Sequence, residues 1–518
     1  MNNKQRFIAV LLILTLMLMG CTSASPTPDS GDTAANTTDT TSDVGTDTNE
    51  TTDTASGDTS ADTTGDASAD TAGDASADVT GDASADTAGD ASADTAGDAS
   101  ADAAGDASAD TAGDASADIA GDASALPETI PGEEEYEDWY ADMVEASIVS
   151  TGNNARLKKV LEKARAGEEF RVAAIGGSVT EGAGAVVNKE GYAYKFASAL
   201  ERDYCPAGTG NMKFVNAGLS GTPSSLGIMR YDRDVVGLLG GAPDLLIIEF
   251  SVNDSGEVTR GQAYSSMIHR ALTDNPDCAV ILLFAVFKTK WNMQNNYIPE
   301  GEVYELPMVS IKDAIAVPFA KGQLTNELFF ADDYHPKTYG HQIMSDCLMH
   351  LVGLIDREDA DTASEVPEKG IKKIPYEHTT LITSDLASLE EGVSVDPGSF
   401  TLTDKAIQSM FFTGKGAFTD NFMHDKDAGN DPFVLKLTCS KLLLNFKTSN
   451  SKTFGLAEIL VDGAPVEAGN GYSSGGWNNC NVISLIDAEE SAEHTVEIKM
   501  APGFEDKSFT ILALGYAK

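Results

Sequence analysis

Residues 22–125 hold no lysine, no arginine and no aromatic side chain, and this stretch limits where the chain can fold. The octad Gly-Asp-Ala-Ser-Ala-Asp-Thr-Ala recurs with small changes from Gly65 to Gly121. A period of eight would suit a β-helix, but the octad has no apolar position to fill such a core. So little apolar surface cannot offset the entropy of ordering the chain, and disorder is expected. Residues 21–130 therefore read as a charged tether, with an r.m.s. reach of about 55 Å that like-charge repulsion extends.

The tract carries 24 Asp and Glu, and the segment ahead of it carries only Lys4 and Arg6. Of the formal charge of −46, −24 thus falls on residues 126–518. That acidity argues against nucleic acid or another polyanion as partner. It is compatible with a neutral polysaccharide, and equally with a surface kept soluble by its charge. Lys4 and Arg6 precede an apolar run, Phe7 to Met19, too short for a spanning helix and placed as in a signal peptide, residues 1–20. Its end, Leu18-Met19-Gly20-Cys21, resembles a bacterial lipoprotein signal. The resemblance implies cleavage before Cys21 and a lipid on its sulfur, so that the protein is held at the outer face of the cell membrane by lipid. The other cysteines, Cys205, Cys278, Cys347, Cys439 and Cys480, are odd in number and scattered. They give no disulfide framework and no metal-ligand spacing, although one bridge stays open.

Two folded regions remain. Over residues 135–357 short apolar strands alternate with helical stretches. The strands are Arg171–Ile175, Lys213–Val215, Leu245–Phe250 and Ala279–Phe284. The helices are Asn154–Ala166, Tyr192–Tyr204, Pro223–Leu239 and Val258–Leu272. This alternation predicts an α/β domain, a parallel sheet with helices on both faces. An acidic linker is expected over residues 358–370. From Ile371 to Lys518 the chain turns to short strands with little helix. Leu435/Leu437 and Val496/Ile498 alternate with polar neighbours, as in an antiparallel all-β sandwich of jelly-roll type.

Chemistry-bearing residues fall at the ends of the predicted strands. Ser178 closes Phe170-Arg-Val-Ala-Ala-Ile-Gly-Gly-Ser178, a buried strand that breaks at two glycines. No lysine follows it as a nucleotide-binding loop would require. A serine hydroxyl needs a neighbouring base, and imidazole titrates near neutrality. His335, in Phe329-Phe-Ala-Asp-Asp-Tyr-His335-Pro336, is the best candidate. Asp332 could hold its other ring nitrogen, with Asp333 an adjacent alternative. An oxyanion needs fixed donors, and Gly218 in Asn216-Ala-Gly218 and the amide of Asn253 in Ser251-Val-Asn253-Asp254 are placed to supply them.

The four blocks Gly176-Gly177-Ser178-Val179-Thr180-Glu181-Gly182, Asn216-Ala217-Gly218, Ser251-Val252-Asn253-Asp254 and Asp332-Asp333-Tyr334-His335-Pro336 resemble those of the SGNH hydrolases, or GDSL esterases. The resemblance implies a flavodoxin-like fold and a nucleophilic Ser178. It implies His335 as base, oriented by Asp332, and an oxyanion hole of Ser178 N–H, Gly218 N–H and the Asn253 amide. Neither metal nor cofactor is implied. Two departures stand out. Gly177 replaces the usual Asp, losing one structural hydrogen bond, and Ser251 stands where glycine is commoner.

The layout with an appended β-domain resembles bacterial carbohydrate esterases, which implies an acylated, most simply O-acetylated, polysaccharide substrate. Trp291 and Tyr297, in an amide-rich loop expected over Phe287–Glu300, are candidate sugar contacts, with a loop that packs its own aromatics as the equal alternative. Trp477 in Gly475-Gly476-Trp477 is another, with a plug between the sheets as its alternative. Two other functions stay open: a lipase, lysophospholipase or thioesterase of the same superfamily, and a tethered glycan-binding protein without activity.

Overall fold

The computed structural model describes residues 133–518, with side chains from Asp138; the leader, Cys21 and the repeat tract lie outside the described residues. The first domain contains helices α1 (Glu133–Ala146), α2 (Ala155–Ala166), α3 (Ser178–Glu181), α4 (Tyr192–Tyr204), α5 (Ser224–Tyr231), α6 (Gln262–Asp274), α7 (Gln294–Val303), α8 (Ile311–Ala320), α9 (Asn326–Phe329) and α10 (Thr338–Arg357). Its strands are β1 (Ile148–Ser150), β2 (Phe170–Gly176), β3 (Met212–Gly218), β4 (Leu245–Glu249), β5 (Ala279–Phe284) and β6 (Met308–Ser310), in the order β1-β6-β5-β4-β2-β3. Strands β2 to β6 pair in parallel, and β1 adds an antiparallel edge. The parallel strands thus follow the doubly wound flavodoxin-like order, with its switch point between β2 and β4.

Strand periodicity fills both faces. Ala173, Ile175, Leu246, Ile248, Val280 and Leu282 pack with α5 and α6. Val172, Ala174, Leu245, Ile247, Ala279 and Ile281 pack with α2, α4, α8 and α10. Cys278 and Cys347 are buried in these cores, and all five cysteines among the described residues are free.

The expected linker is bonded to the first domain through its first half. Asn154 donates to the Asp359 carbonyl at 2.9 Å and accepts from the Asp361 N–H at 2.8 Å, and Arg156 donates to the Ser364 carbonyl. The expected loop over Phe287–Glu300 is shorter than its sequence suggests. Helix α7 begins at Gln294 despite Pro299 and Gly301, because tertiary contacts outweigh propensity. Glu300 is buried there, accepting from the backbone N–H groups of Ile371 and Lys372.

The second domain adds β7 (Thr380–Ile382), β8 (Ser394–Asp396), β9 (Ser409–Met410), β10 (Lys415–Gly416), β11 (Phe422–His424), β12 (Phe433–Ser449), β13 (Leu456–Val461), β14 (Ala464–Pro465), β15 (Gly469–Asn470), β16 (Trp477–Met500) and β17 (Phe509–Ala517); all but the β9–β10 ribbon form one nine-stranded antiparallel sheet built around β12, β16 and β17. Strand β12 runs through Phe433–Ser449, with a register shift between Cys439 and Lys441. Its first half alternates in exposure; its second half is buried on both faces. Leu442 and Leu444 enter the β-domain core. Leu443 instead joins the hydrolase-domain cluster, with Met410, Phe418, Val482 and Leu512. The interface is therefore a continuation of the core. Strand β17 comes so near α5 that a Cβ on Gly515 would lie 2.7 Å from Met229.

Candidate active site

Ser178 is the first residue of α3, directly beyond β2, and its Oγ lies 2.9 Å from His335 Nε2. The His335 Nδ1 lies 2.8 Å from Asp332 Oδ2. The other Asp332 oxygen accepts the backbone N–H groups of Tyr334 and His335 at 2.7 and 2.8 Å, which fixes the carboxylate within its own turn. Burial alone would push the Asp332 carboxyl up, but the His335 contact and these backbone donors outweigh it and hold the group below its ordinary range. Asp333 points elsewhere and pairs with Lys288 at 2.9 Å. The three-residue spacing, not adjacency, brings Asp332 to the imidazole.

Gly177 has a steric reason. A Cβ there would collide with the carboxamide of Asn253, which lies against the Gly177–Ser178 turn at the β2/β4 switch point. An aspartate at this position would displace that amide. Among the described residues the buried Asn253 Oδ1 has no hydrogen-bond partner and its Nδ2 no acceptor, but Nδ2 is not enclosed in the same way. As the first residue of its helix, Ser178 has an N–H with no intrahelical acceptor.

The expectation for Gly218 needs correction. Its N–H donates to Asn216 Oδ1 at 2.9 Å, and the Asn216 amide in turn donates to the Thr180 carbonyl at 2.7 Å. Both residues are buried. Gly218 lets α3 rest on β3, since a Cβ would collide with the Glu181 backbone. The donor left available is three residues on. Gly221 sits in a turn at φ 66°, and its N–H has no acceptor among the described residues. The sequence signal was the second glycine of Asn216-Ala-Gly-Leu-Ser-Gly221, in a position that requires a left-handed backbone.

Several residues that sequence reasoning missed hold this turn. Glu181 is buried and accepts both the N–H and the hydroxyl of Ser220, while its other oxygen accepts the Phe411 N–H. Burial pushes its carboxyl above the usual range. Arg230 is fully buried beneath the strand ends, donating to the Ala217 carbonyl at 2.7 Å and the Gly176 carbonyl at 3.1 Å, with Asp234 3.5 Å away. Glu249, at the end of β4, accepts from Thr180 Oγ1 at 3.1 Å, and Thr180 also meets the Tyr192 hydroxyl at 2.9 Å. Burial pushes the Glu249 carboxyl up to about 8.

The three aromatic candidates part company. Tyr297 is corrected: only 4 % exposed, it stacks on Tyr264 at 3.9 Å and donates to Asp254 at 2.6 Å, so its ring belongs to the core. Trp291 is 39 % exposed and stacks on Phe287, which meets Tyr334 edge-on at 5.1 Å; Tyr334 lies edge-on to His335. These rings make an aromatic wall leading away from the imidazole. Trp477 is half-buried, with its ring edge 3.6 Å from where a Gly221 Cβ would stand, so the β-domain reaches the same turn.

Residues 174–343 match the GDSL-like Lipase/Acylhydrolase family. No curated protein matches the chain. Among solved structures, a two-domain esterase (CEX) active on acetylated mannans is similar at 25% identity and a TM-score of 0.63, covering 72% of this chain and 98% of that one. The same esterase co-crystallised with mannopentaose gives 24% identity at the same TM-score and coverage. That coverage exceeds the hydrolase domain alone, so the likeness takes in the β-domain as well. With the GDSL-like match over residues 174–343 and this two-domain likeness, the protein is a carboxylic ester hydrolase of the SGNH type.

Proposed function

We propose that this protein removes O-acetyl groups from a polysaccharide, a mannan before others, through Ser178, His335 and Asp332. The observation that supports it most is the hydrogen-bonded run from Asp332 to His335 to Ser178, at 2.8 and 2.9 Å. The mannan preference rests on the two-domain likeness to an esterase active on acetylated mannans. Ser178 Oγ attacks the acetyl carbonyl as its proton passes to His335 Nε2. Asp332 holds Nδ1–H and steadies the imidazolium. The tetrahedral oxyanion is met by the N–H groups of Ser178 and Gly221 and by Asn253 Nδ2. His335 returns the proton to the departing sugar oxygen, leaving acetyl on Ser178. Water, deprotonated by His335, then attacks the acyl-enzyme, and acetate leaves as Ser178 regains its proton. Trp291 and Trp477 flank the entrance as stacking faces for sugar rings.

Lipid attached to Cys21, with the repeat tract as spacer, would place this site outside the membrane. Cys21→Ser should shift the protein from the membrane fraction into the medium. Acetate release from acetylated mannan, xylan and peptidoglycan, by the full chain and by Ser178→Ala, tests the activity. Release from mannan that the variant abolishes is expected. Equal release by both proteins would remove Ser178 from the reaction, and release from xylan alone would overturn the substrate assignment.

A further inference from the structure

We propose that Gln408, a residue of the β-domain, is a positioning residue for the esterase site: it sets the peptide whose N–H meets the oxyanion. The proposal rests on the esterase reading above. The Gln408 Nε2 donates to the Ser220 carbonyl at 2.7 Å. That carbonyl and the Gly221 N–H belong to one peptide plane, so fixing the oxygen aims the N–H on the opposite side.

The carboxamide is itself held. Its Oε1 accepts the Cys480 N–H at 3.0 Å, which determines which end carries the NH₂ group. The Gln408 backbone donates to the Asn478 carbonyl, and its own carbonyl accepts from the Ala417 N–H. At 5 % exposure, Gln408 leaves little room for water to replace its hydrogen bonds. From the other side, Glu181 grips Ser220 at both N–H and hydroxyl. The Trp477 ring edge lies over Gly221. The peptide is therefore clamped between the nucleophile helix and two β-domain segments. Among the described residues the Gln408 side chain bonds to neither Ser178 nor His335, so its contribution passes through the orientation of one donor.

The test uses the full chain, Gln408→Leu and Gln408→Glu, with Ser178→Ala as control. The substrates are 4-nitrophenyl acetate and its thionoacetate counterpart. Sulfur is larger than oxygen and a weak acceptor, so the thionoester draws little help from oxyanion donors. The ratio of kcat/KM for the two substrates reports donor placement and does not depend on what share of a variant is folded. The expected result is a fall of about 10–100-fold in kcat/KM for the ester, with the ester-to-thionoester ratio falling by a similar factor. An unchanged ratio overturns the proposal, whether or not the ester rate falls, because a purely structural role would lower both rates together. Absence of Ser178-dependent hydrolysis by the unaltered chain would instead remove the esterase reading, and this proposal with it.

Discussion

At the scale of single residues, Asp332 and Asp333 are one position apart and chemically alike, yet only Asp332 reaches the His335 ring. The i, i+3 spacing in a tight turn made that choice legible in the sequence. Asp332→Asn should lower kcat by about 10²–10⁴-fold, because an amide favours the wrong tautomer and cannot steady the imidazolium. Asp333→Asn should leave kcat within about twofold, since its exposed pair with Lys288 is worth little. Steady-state kinetics on a short-chain acetyl ester separates the two, and equal losses would refute the assignment. Gly218 was not legible in the same way. A glycine after a strand advertises an unobstructed N–H, but the residue that takes up that N–H, Asn216, is known only from the folded backbone. Tyr297 fails for a related reason: an aromatic among amides looks like a sugar contact until Asp254 and Tyr264 are found around it.

At the scale of elements, β2, β4, α3 and α4 meet at a buried carboxyl. One Glu249 oxygen accepts from Thr180 and the other has no partner among the described residues. Burial raises the group from 4.5 to about 8. Its contribution to stability is fully present below about pH 4.5 and is lost as pH rises toward about 8, because unfolding frees the carboxyl to ionise. By pH 7 the loss is roughly 3 kcal/mol. Glu249→Gln cannot ionise. It should be more stable than the natural chain by about that amount at pH 7 and show no comparable gain at pH 4.5. Urea unfolding at the two pH values measures the difference, and an equal gap at both would contradict it. The continuous apolar run of β5 and the helical stretch of α4 have the bounds that the sequence predicts. Elements that depend on distant partners do not. The short β6 and the proline-bearing α7 and α8 carry little local signal. The second half of β12 loses its alternation because the hydrolase domain covers its other face.

At the scale of the whole molecule, the β-domain and the hydrolase domain share one apolar cluster and the Ser220–Gly221 turn. Met410, Phe418, Leu443, Val482 and Leu512 pack in the cluster that contains Leu226, Met229, Tyr231 and Val235 of the first domain. Full burial of each large apolar side chain is worth about 1.5–3 kcal/mol. Several such losses together match the roughly 5–15 kcal/mol that holds an ordinary domain folded. Removing the β-domain would also take away the Phe411 N–H from Glu181 and the Gln408 amide from Ser220. A chain ending at residue 370 should therefore be poorly soluble, or bind a hydrophobic dye in solution, and should lose hydrolysis of small acetyl esters as well as of acetylated mannan. A β-domain that served only to hold glycan would give a different pattern. The shortened enzyme would stay folded and keep its full rate on 4-nitrophenyl acetate while losing the polysaccharide. Circular dichroism and the two assays, run on the full and shortened chains side by side, distinguish an accessory binding module from one that completes the hydrolase core.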